Sequence, residues 1–370
     1  MEFPKLNVQH LGVDFAGGLT TAIISLPLAL AFGVASGAGA QAGLVGAVVV
    51  GFFAAVFGSS SRLISEPTGP MTVIMTSVVA SLTAAYPEQG LAMAFTMVML
   101  AGIFQLMIGV LKLGKFITLM PYSVISGFMS GIGVLLILMQ LPPFLGVDNP
   151  GGGAIGVLTS IPAMLTSVSL PELGLGVVAL VILFGMPAAW WKRCPPQLLA
   201  LVVGTLISMF LFGSEEIRRI GEIPMGLPRL QTPTFSAEMW NRIVLDALVL
   251  GVLGCIDSLL TAMIADSLTR EYHDSDRELM GQGIGNLVSG LFGGLPGAGA
   301  TMGTVVNIQT GAKTNLSGII RALLLFTLLL GAAPLVGPIP MAVLAAIALK
   351  VGVDILDWSF IQRVHQFSRS

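Results

Sequence analysis

Charged side chains are what this sequence has least of. Asp, Glu, Lys and Arg make up 10% of its 370 residues, against about 25% in a typical soluble domain. Hydrophobic residues make up 55%, and the mean hydropathy is +0.92. A water-soluble surface needs more polar cover than such a composition leaves, so the scarcity of charge excludes a soluble domain. We expect an all-α polytopic protein whose surroundings are the lipid bilayer, with no nucleic-acid partner.

Cysteine and histidine are also nearly absent. Cys194 and Cys255 are too few and too far apart for a disulfide framework or a zinc site, and we expect them to be small apolar fillers. The three histidines show no metal-ligand spacing, and no motif indicates an organic cofactor. The first ten residues lack the basic stretch and apolar core of a signal peptide, so no removable leader is expected.

Apolar runs of about 20 residues, the length that crosses a bilayer, recur along the chain. Spans are predicted near 12–35, 41–57, 91–111, 117–140, 171–190, 196–212, 239–265, 277–293, 315–331 and 333–350. Two shorter segments, 68–84 and 299–311, follow Gly/Pro-rich breaks and are predicted to be half-helices. Together these segments give about twelve crossings. Segment 154–168, which Pro162 should interrupt, is predicted to be a short re-entrant or surface helix.

The basic residues predict the orientation of the chain. With the N-terminus in the cytoplasm, every short loop rich in Lys and Arg lies on the same side of the membrane, as the positive-inside rule requires. These residues are Lys112, Lys115, Lys192, Arg193, Arg270, Arg277, Lys313 and Lys350. The long segment 213–238 then lies outside. We therefore expect a multi-pass protein of the inner membrane with a cytoplasmic N-terminus.

The two halves of the chain share a plan. A span interrupted at Pro27 precedes the break at 66–70 (EPTGP), and the span that carries Asp257 precedes the break at 297–299 (GAG) by a similar distance. An odd number of predicted crossings separates corresponding elements, so the repeats are inverted. Paired, interrupted segments in an inverted repeat indicate the binding site of a secondary transporter. The alternative is that both Gly/Pro clusters are ordinary loops.

The starts of the two half-helices are predicted to bind an anion. Helix N-termini present unpaired N–H groups and the positive end of the helix dipole, so they hold anions without a cationic side chain. The predicted substrate contacts are Thr68, Gly69, Ala300, Thr301 and Met302. The alternative role for the two threonines is helix capping.

Asp257 is predicted to hold a cation beside that anion. Asp257 and Thr261 share one helix face, and the broken segment after residue 297 frees backbone carbonyl groups. The predicted Na⁺ ligands are Asp257, Thr261, Gly299, Ala300 and Gly303. A bound Na⁺ would cancel the carboxylate and attract the anion, so each ion would improve the binding of the other. The alternative is that Asp257 carries a proton.

Other polar groups within the spans carry weaker predictions. We expect Arg321 to pair locally or to snorkel, and Asn286 and Gln282 to brace the site. Asp246 is expected near the external end of its span. The glycines of 127–131 (GFMSG) predict close helix packing.

The chain resembles the SulP (sulfate permease) family of anion transporters along its whole length. The matching runs are LPLALAFG at 26–33, ISGFMSG at 125–131, DSLLTA at 257–262, HDSDREL at 273–279, GQGIGN at 281–286 and LFGGLP at 291–296. The resemblance implies a UraA-like inverted repeat of seven plus seven spans, with half-helices three and ten and an elevator-like movement. It implies a core domain near 12–111 and 239–331 and a gate domain near 115–212 and 333–370. It also implies two further spans and a cytoplasmic STAS domain, which we expect to lie outside these 370 residues, and a homodimer of the full-length protein.

Two departures from the family pattern bear on the cargo. Many family members have Glu at the position of Asp257 and Arg at the position of Gly303. Without that fixed cation beside the anion, a bound Na⁺ would supply the missing charge. The runs are most similar to those of cyanobacterial Na⁺-dependent bicarbonate carriers, so the resemblance implies a bicarbonate importer.

These observations predict a Na⁺-coupled symporter that imports bicarbonate for inorganic carbon supply. The alternative with the same fold is an H⁺-coupled or exchanging transporter of sulfate or a dicarboxylate. A channel is a third class. No enzyme is expected, because an intramembrane aspartyl hydrolase needs two converging aspartates and Asp257 has only the remote Asp246.

Overall fold

A computed structural model describes residues 10–117, 122–150, 153–187, 195–213, 216–221, 228–236, 238–331 and 336–358. The described helices are α1 (Leu11–Ala35), α2 (Ala40–Phe57), α3 (Gly69–Ala85), α4 (Gly90–Val110), α5 (Gly114–Ile117), α6 (Tyr122–Leu145), α7 (Gly153–Thr166), α8 (Leu170–Gly185), α9 (Pro196–Leu211), α10 (Trp240–Thr269), α11 (Ser275–Leu291), α12 (Thr301–Gln309), α13 (Leu316–Gly331) and α14 (Met341–Ile355). Two short strands, β1 (Ser65–Glu66) and β2 (Ala298–Gly299), interrupt them. Cys194, Lys192 and Arg193 lie outside the described residues, whereas Cys255 is a free, buried cysteine, as expected of a filler.

The described helices are those of a multi-pass membrane protein. Within the described ranges, α1, α2, α4 and α10 are long and apolar enough to cross a bilayer. Shorter apolar helices, 10–17 residues long, are found at Gly69–Ala85, Met129–Leu145, Pro196–Leu211 and Leu316–Gly331. Most predicted spans match a helix to within a few residues. The half-helix predicted at 299–311 is shorter than expected, since α12 covers only Thr301–Gln309.

Two predicted spans were misplaced along the chain. The span expected at 333–350 is helical at Met341–Ile355, because Pro340 has extended backbone at its N-cap and a proline disfavours helical geometry in the residue before it. The start of the span expected at 117–140 falls on residues 118–121, which lie outside the described residues. The described helix, Tyr122–Leu145, continues past the expected end through Pro142 and Pro143. It ends at Gly146, whose φ of 75° lies in the left-handed region that glycine adopts without strain.

The segment after α6 forms a sharply bent pair of helices. The predicted short helix is present as α7, but Pro162 lies inside it, so the interruption expected there is wrong. The described part of α7 meets α8 at 115°. Such a bend is the geometry of a re-entrant or surface helix.

The helices pack in two groups. In the first, α4 packs against α10 and α11, while α2 packs against α1, α11 and α13. In the second, α14 packs against α6 and α8, and α9 packs against α8 and α14. Helices α1 and α3 touch both groups. The division into core and gate domains stays a prediction.

Glycines permit close contact between α4 and α11 in the first group. A Cβ on Gly102 of α4 would lie 2.3 Å from the backbone nitrogen of Leu287 in α11, and one on Gly283 would lie 2.6 Å from that of Leu106. Small residues at such crossings let helices approach in lipid. The close packing expected at Gly127 and Gly131 is not found among the described residues, since none of their atoms lies within 4 Å of a Cβ built on either glycine. The spacing of these glycines did not reveal which face of α6 meets a neighbour.

We predict that Gly102→Ala lowers the free energy of unfolding by about 1–3 kcal/mol, the usual cost of adding atoms to a packed interior. The added methyl group would meet backbone, which cannot rotate away. Gly174→Ala is the matched control, because this helical glycine of α8 has no described atom within 4 Å of its Cβ. Unfolding of the purified protein in detergent measures both variants. Equal losses in the two would contradict the packing argument.

Candidate functional site

The two breaks in the helices pair with each other. Strands β1 and β2 are antiparallel, with Ser65 opposite Gly299 and Glu66 opposite Ala298. The backbone N–H of Ala300 extends the pairing by donating to the carbonyl oxygen of Ile64 at 2.8 Å. Broken backbone at membrane depth is tolerated only where its polar groups find partners or line a cavity. Here each break supplies partners for the other, which excludes the interpretation of the Gly/Pro clusters as separate loops.

A helix begins directly after each strand. Thr68 is the N-cap of α3 and Ala300 the N-cap of α12, both with extended backbone, and neither N-cap side chain makes a capping hydrogen bond. The first N–H groups of a helix have no acceptor within it. Two sets of unpaired N–H groups therefore lie at the ends of one strand pair. Because the Thr68 and Thr301 hydroxyls bond elsewhere, the capping role is wrong for them.

Asp257 lies against the start of α3. The Thr68 hydroxyl donates to Oδ2 of Asp257 at 2.8 Å, and the aspartate is 6% exposed. Thr68 is the one described residue that donates a hydrogen bond to this carboxylate, and no described Lys, Arg or His pairs with it. A buried carboxylate with a single hydroxyl partner is under-solvated, so it is ready to bind a further group.

Thr261 lies against the start of α12. Its hydroxyl donates to the carbonyl oxygen of Gly299 at 2.8 Å and lies 3.0 Å from the Thr301 hydroxyl oxygen. One turn earlier, the Ser258 hydroxyl accepts from the backbone N–H of Gly299 at 3.1 Å. One face of α10 thus joins Asp257 at the start of α3 to Thr261 at the start of α12. The sequence analysis missed Ser258, although its place beside Asp257 on the helix was a signal.

The remaining predicted contacts lie at the edges of this site. Gly69 faces the second helix group, where a Cβ would meet Ile355 at 2.7 Å and Leu136 at 3.3 Å. The side-chain amide of Gln197, in α9, donates to the sulfur of Met302 at 3.5 Å. The site therefore lies where the two helix groups meet, and sequence reasoning had missed Gln197.

Gly303 faces Glu66 and Ile64. A Cβ on Gly303 would lie 3.1 Å from Ile64 Cγ2 and 3.5 Å from Oε1 of Glu66. Glu66 was part of the predicted break but was assigned no role in the sequence analysis. The structure gives it one partner of opposite charge, because Nη1 of Arg321 donates to Oε2 of Glu66 at 3.4 Å.

Arg321 pairs locally, as expected, and does not snorkel. It is completely buried in α13, where Nη1 also donates to the carbonyl oxygen of Ser65 at 3.1 Å and Nη2 to that of Ala47 at 2.7 Å. Arg321 therefore fixes β1 to α2.

Asn286 and Gln282 of α11 hold the two breaks. The side chain of Asn286 donates to the carbonyl oxygen of Gly297 at 2.8 Å and accepts from the N–H of Gly297 at 2.7 Å. Gln282 donates to the hydroxyl of Ser65 at 2.6 Å. The bracing predicted for both residues is confirmed by these contacts.

The other aspartates of α10 are directed away from Asp257. Asp246 faces Arg242 across 3.7 Å, and Asp266 lies 2.7 Å from Nδ1 of His273. In the described part of the chain no second carboxylate bonds with Asp257.

Proteins similar to this chain in sequence or in fold carry the names of transporters. The family model described as the sulfate permease family matches residues 11–370. The bicarbonate transporter BicA of Picosynechococcus sp. is 60% identical over 368 residues, which are 98% of this chain and 65% of that protein. The chain thus spans about two thirds of the length of this curated relative.

Solved structures confirm the expected fold. The transmembrane domain of a cyanobacterium bicarbonate transporter BicA superposes with a TM-score of 0.95 and 60% identity, covering 100% of this chain and 94% of that one. Murine Solute Carrier 26 family member A9, an anion transporter, superposes with a TM-score of 0.86 at 20% identity, covering 98% of this chain and 63% of that one. The second likeness is one of fold alone.

We predict that Asn286→Leu lowers the free energy of unfolding by about 2 kcal/mol or more, because it leaves both backbone groups of Gly297 buried without a partner. Asn315→Leu is the control. Asn315 makes one bond, to the carbonyl oxygen of Ala55, away from the breaks, and its loss should cost about 1 kcal/mol. Denaturant unfolding in detergent compares the two. A smaller loss for Asn286→Leu than for the control would show that the clamp on Gly297 is not needed.

Proposed function

The chain belongs to the sulfate permease family, and we propose that it imports bicarbonate together with Na⁺. Its relatives are transporters, and the protein 60% identical to it carries the name bicarbonate transporter. The single observation that carries the proposal for Na⁺ is the position of Asp257. This carboxylate accepts a hydrogen bond from Thr68 at the start of α3, while Thr261, one turn further along α10, donates to Gly299 at the start of α12.

A cation resolves the conflict between Asp257 and an anion. The unpaired N–H groups of α3 and α12 favour an anion, whereas the carboxylate repels it. An uncompensated charge inside a membrane costs several kcal/mol unless it is paired. Because no described cationic side chain pairs with Asp257, a mobile cation between the carboxylate and the anion stabilises both.

The predicted ligands suit Na⁺. Asp257 supplies a carboxylate oxygen and Thr261 a hydroxyl. The extended backbone at Gly299 and Ala300 supplies carbonyl groups, and Gly303 supplies one from the first turn of α12. Unwound backbone of this kind coordinates Na⁺ in transporters built from broken helices. All five residues offer oxygen atoms and only one is charged, which fits a monovalent ion.

The predicted anion contacts suit bicarbonate. Thr68, Gly69, Ala300, Thr301 and Met302 form the starts of the two helices. Apart from the N–H of Ala300, which donates to Ile64, they offer backbone N–H groups and two hydroxyls. A small planar monoanion accepts these hydrogen bonds from both sides. The side chains that Gly69 meets, Ile355 and Leu136, are apolar and exclude water from one edge.

The Thr68 hydroxyl supplies a mechanism for coupling. It has one proton, which it donates to Asp257 at 2.8 Å. When Na⁺ binds the carboxylate, the Thr68 hydroxyl no longer donates to Asp257. It then donates its hydrogen bond to the anion at the start of α3. Binding of the cation thereby improves binding of the anion, and the reverse holds by thermodynamic linkage.

The position of the site fits an elevator-like movement of a core against a gate. The site residues lie on α3, α10 and α12, and their neighbours Leu136, Ile355 and Gln197 lie on α6, α14 and α9. We place the protein in the inner membrane with its N-terminus in the cytoplasm, as a homodimer. The positive-inside distribution of Lys and Arg supports the orientation.

We predict that an inward Na⁺ gradient accelerates bicarbonate uptake into proteoliposomes and that Asp257→Asn removes the acceleration, because the cation loses its one charged ligand. The measurement is uptake of labelled bicarbonate with and without Na⁺. Asp246→Asn is the control, since Asp246 faces Arg242 and should leave Na⁺ dependence intact. Wild-type uptake that ignores Na⁺ but follows an H⁺ gradient, or that unlabelled sulfate blocks, would favour the alternative cargo or coupling ion.

A second prediction tests the coupling mechanism. Thr68→Val should raise the KM for bicarbonate about tenfold, the loss of one hydrogen bond to a charged group. The Na⁺ concentration that gives half-saturation should stay the same or fall, because Asp257 loses the one hydroxyl that the described residues donate to it. Thr68→Ser keeps the hydroxyl and should restore the wild-type KM. If Thr68→Val raises both the KM for bicarbonate and the Na⁺ concentration at half-saturation, the Thr68 hydroxyl does not change its hydrogen-bond acceptor from Asp257 to the anion.

A further inference from the structure

A buried ion pair lies beside the proposed cation site without belonging to it. Arg321 is 0% exposed and Glu66 is 3% exposed, and they meet at 3.4 Å behind strand β1. Taking two charges out of water is costly, and such a pair is often no more stabilising than apolar residues of the same volume. Packing alone therefore does not account for this pair.

Glu66 has one carboxylate oxygen to spare. Oε2 accepts from Arg321, while Oε1 faces Gly303, 3.5 Å from the position of a Cβ there. Of the residues that the structure describes, none donates a hydrogen bond to Oε1. The free oxygen thus points to the first turn of α12, whose carbonyl groups are proposed to hold Na⁺.

The charges around the strand pair sum to a single negative charge. Asp257 and Glu66 contribute two negative charges and Arg321 one positive charge. The next nearest carboxylate on the strand side, Glu278, reaches β1 only through Gln282 and Ser65, and accepts from the backbone N–H groups of Ser59 and Ser60. One monovalent cation therefore neutralises the site.

We propose that Arg321 sets this charge by neutralising Glu66. Asp257 is then the one carboxylate that needs a cation, so that one Na⁺ accompanies each anion. Glu66 is then a second carboxylate beside Gly303 that can bind a cation, but it does not do so while it is paired with Arg321. This inference rests on the proposed Na⁺ coupling and names the residues that fix its stoichiometry. Arg321 acts through Glu66, so it is a positioning residue that touches neither ion.

Equilibrium binding of ²²Na⁺ to the purified protein, with chloride as the only anion, tests the charge pair independently of the cargo. Glu66→Gln leaves the positive charge of Arg321 unopposed, which weakens Na⁺ binding. The Na⁺ concentration at half-saturation should therefore rise about tenfold or more. Arg321→Met frees Glu66, so half-saturation should fall about tenfold or a second Na⁺ should bind. The double variant Glu66→Gln, Arg321→Met restores the net charge and should return to within about threefold of the wild type.

The opposite shifts and their cancellation are readouts that a structural role would not give. If Glu66→Gln leaves Na⁺ half-saturation unchanged, or if the double variant is impaired as much as the worse single variant, the proposal is overturned. Should Arg321→Met fail to fold, the Glu66→Gln result and that of Arg321→Lys, which keeps the charge and should bind Na⁺ like the wild type, still decide. Failure of the proposed function looks different, because wild-type protein and Asp257→Asn would then bind ²²Na⁺ equally weakly.

Discussion

Two pieces of extended backbone hydrogen-bond to each other among the helices, and the site depends on that pairing. Breaking two helices at membrane depth exposes polar backbone groups that lipid cannot satisfy. Strands β1 and β2 satisfy one another, with Ser65 opposite Gly299. The surrounding polar side chains then act on the pair from three sides: Asn286 on Gly297, Ser258 on Gly299 and Arg321 on Ser65. A fixed strand pair in turn fixes where α3 and α12 begin.

The buried carboxylates differ in how well they are satisfied, and the difference singles out Asp257. Asp14 accepts from the backbone N–H groups of Lys313 and Thr314, and Glu278 accepts from those of Ser59 and Ser60. Glu172 faces Arg218. Asp257 has a single hydroxyl. Buried polar groups are normally satisfied, so an under-satisfied carboxylate beside the start of α3 is the natural place for a mobile cation.

Local pattern predicted a large part of this arrangement. The Gly/Pro clusters at 66–70 and 297–299 marked both breaks, and helical periodicity placed Asp257 and Thr261 on one face. The pattern misplaced the start of α14, where the local effect of Pro340 was overlooked, and it expected Pro162 to interrupt a helix that in the structure continues through it. It assigned packing to Gly127 and Gly131, whereas a Cβ on Gly133 would lie 2.7 Å from the carbonyl oxygen of Gly352. Glu66 lay inside the predicted break, yet nothing local indicated its partner.

By itself the sequence determined that this is a helical membrane protein of the sulfate permease family, where its helices break, and which carboxylate is exceptional. The membrane class, the breaks and the exceptional carboxylate follow from composition and spacing within short stretches of chain, and the family follows from the resemblance of whole runs to known members. Only the tertiary structure decided that the breaks pair in one register, that Thr68 donates to Asp257, and that Arg321 neutralises Glu66. Those partners are separated by 189 and 255 residues along the chain. Contacts over such separations are set by how whole helices pack, and that packing cannot be derived from a short stretch of sequence.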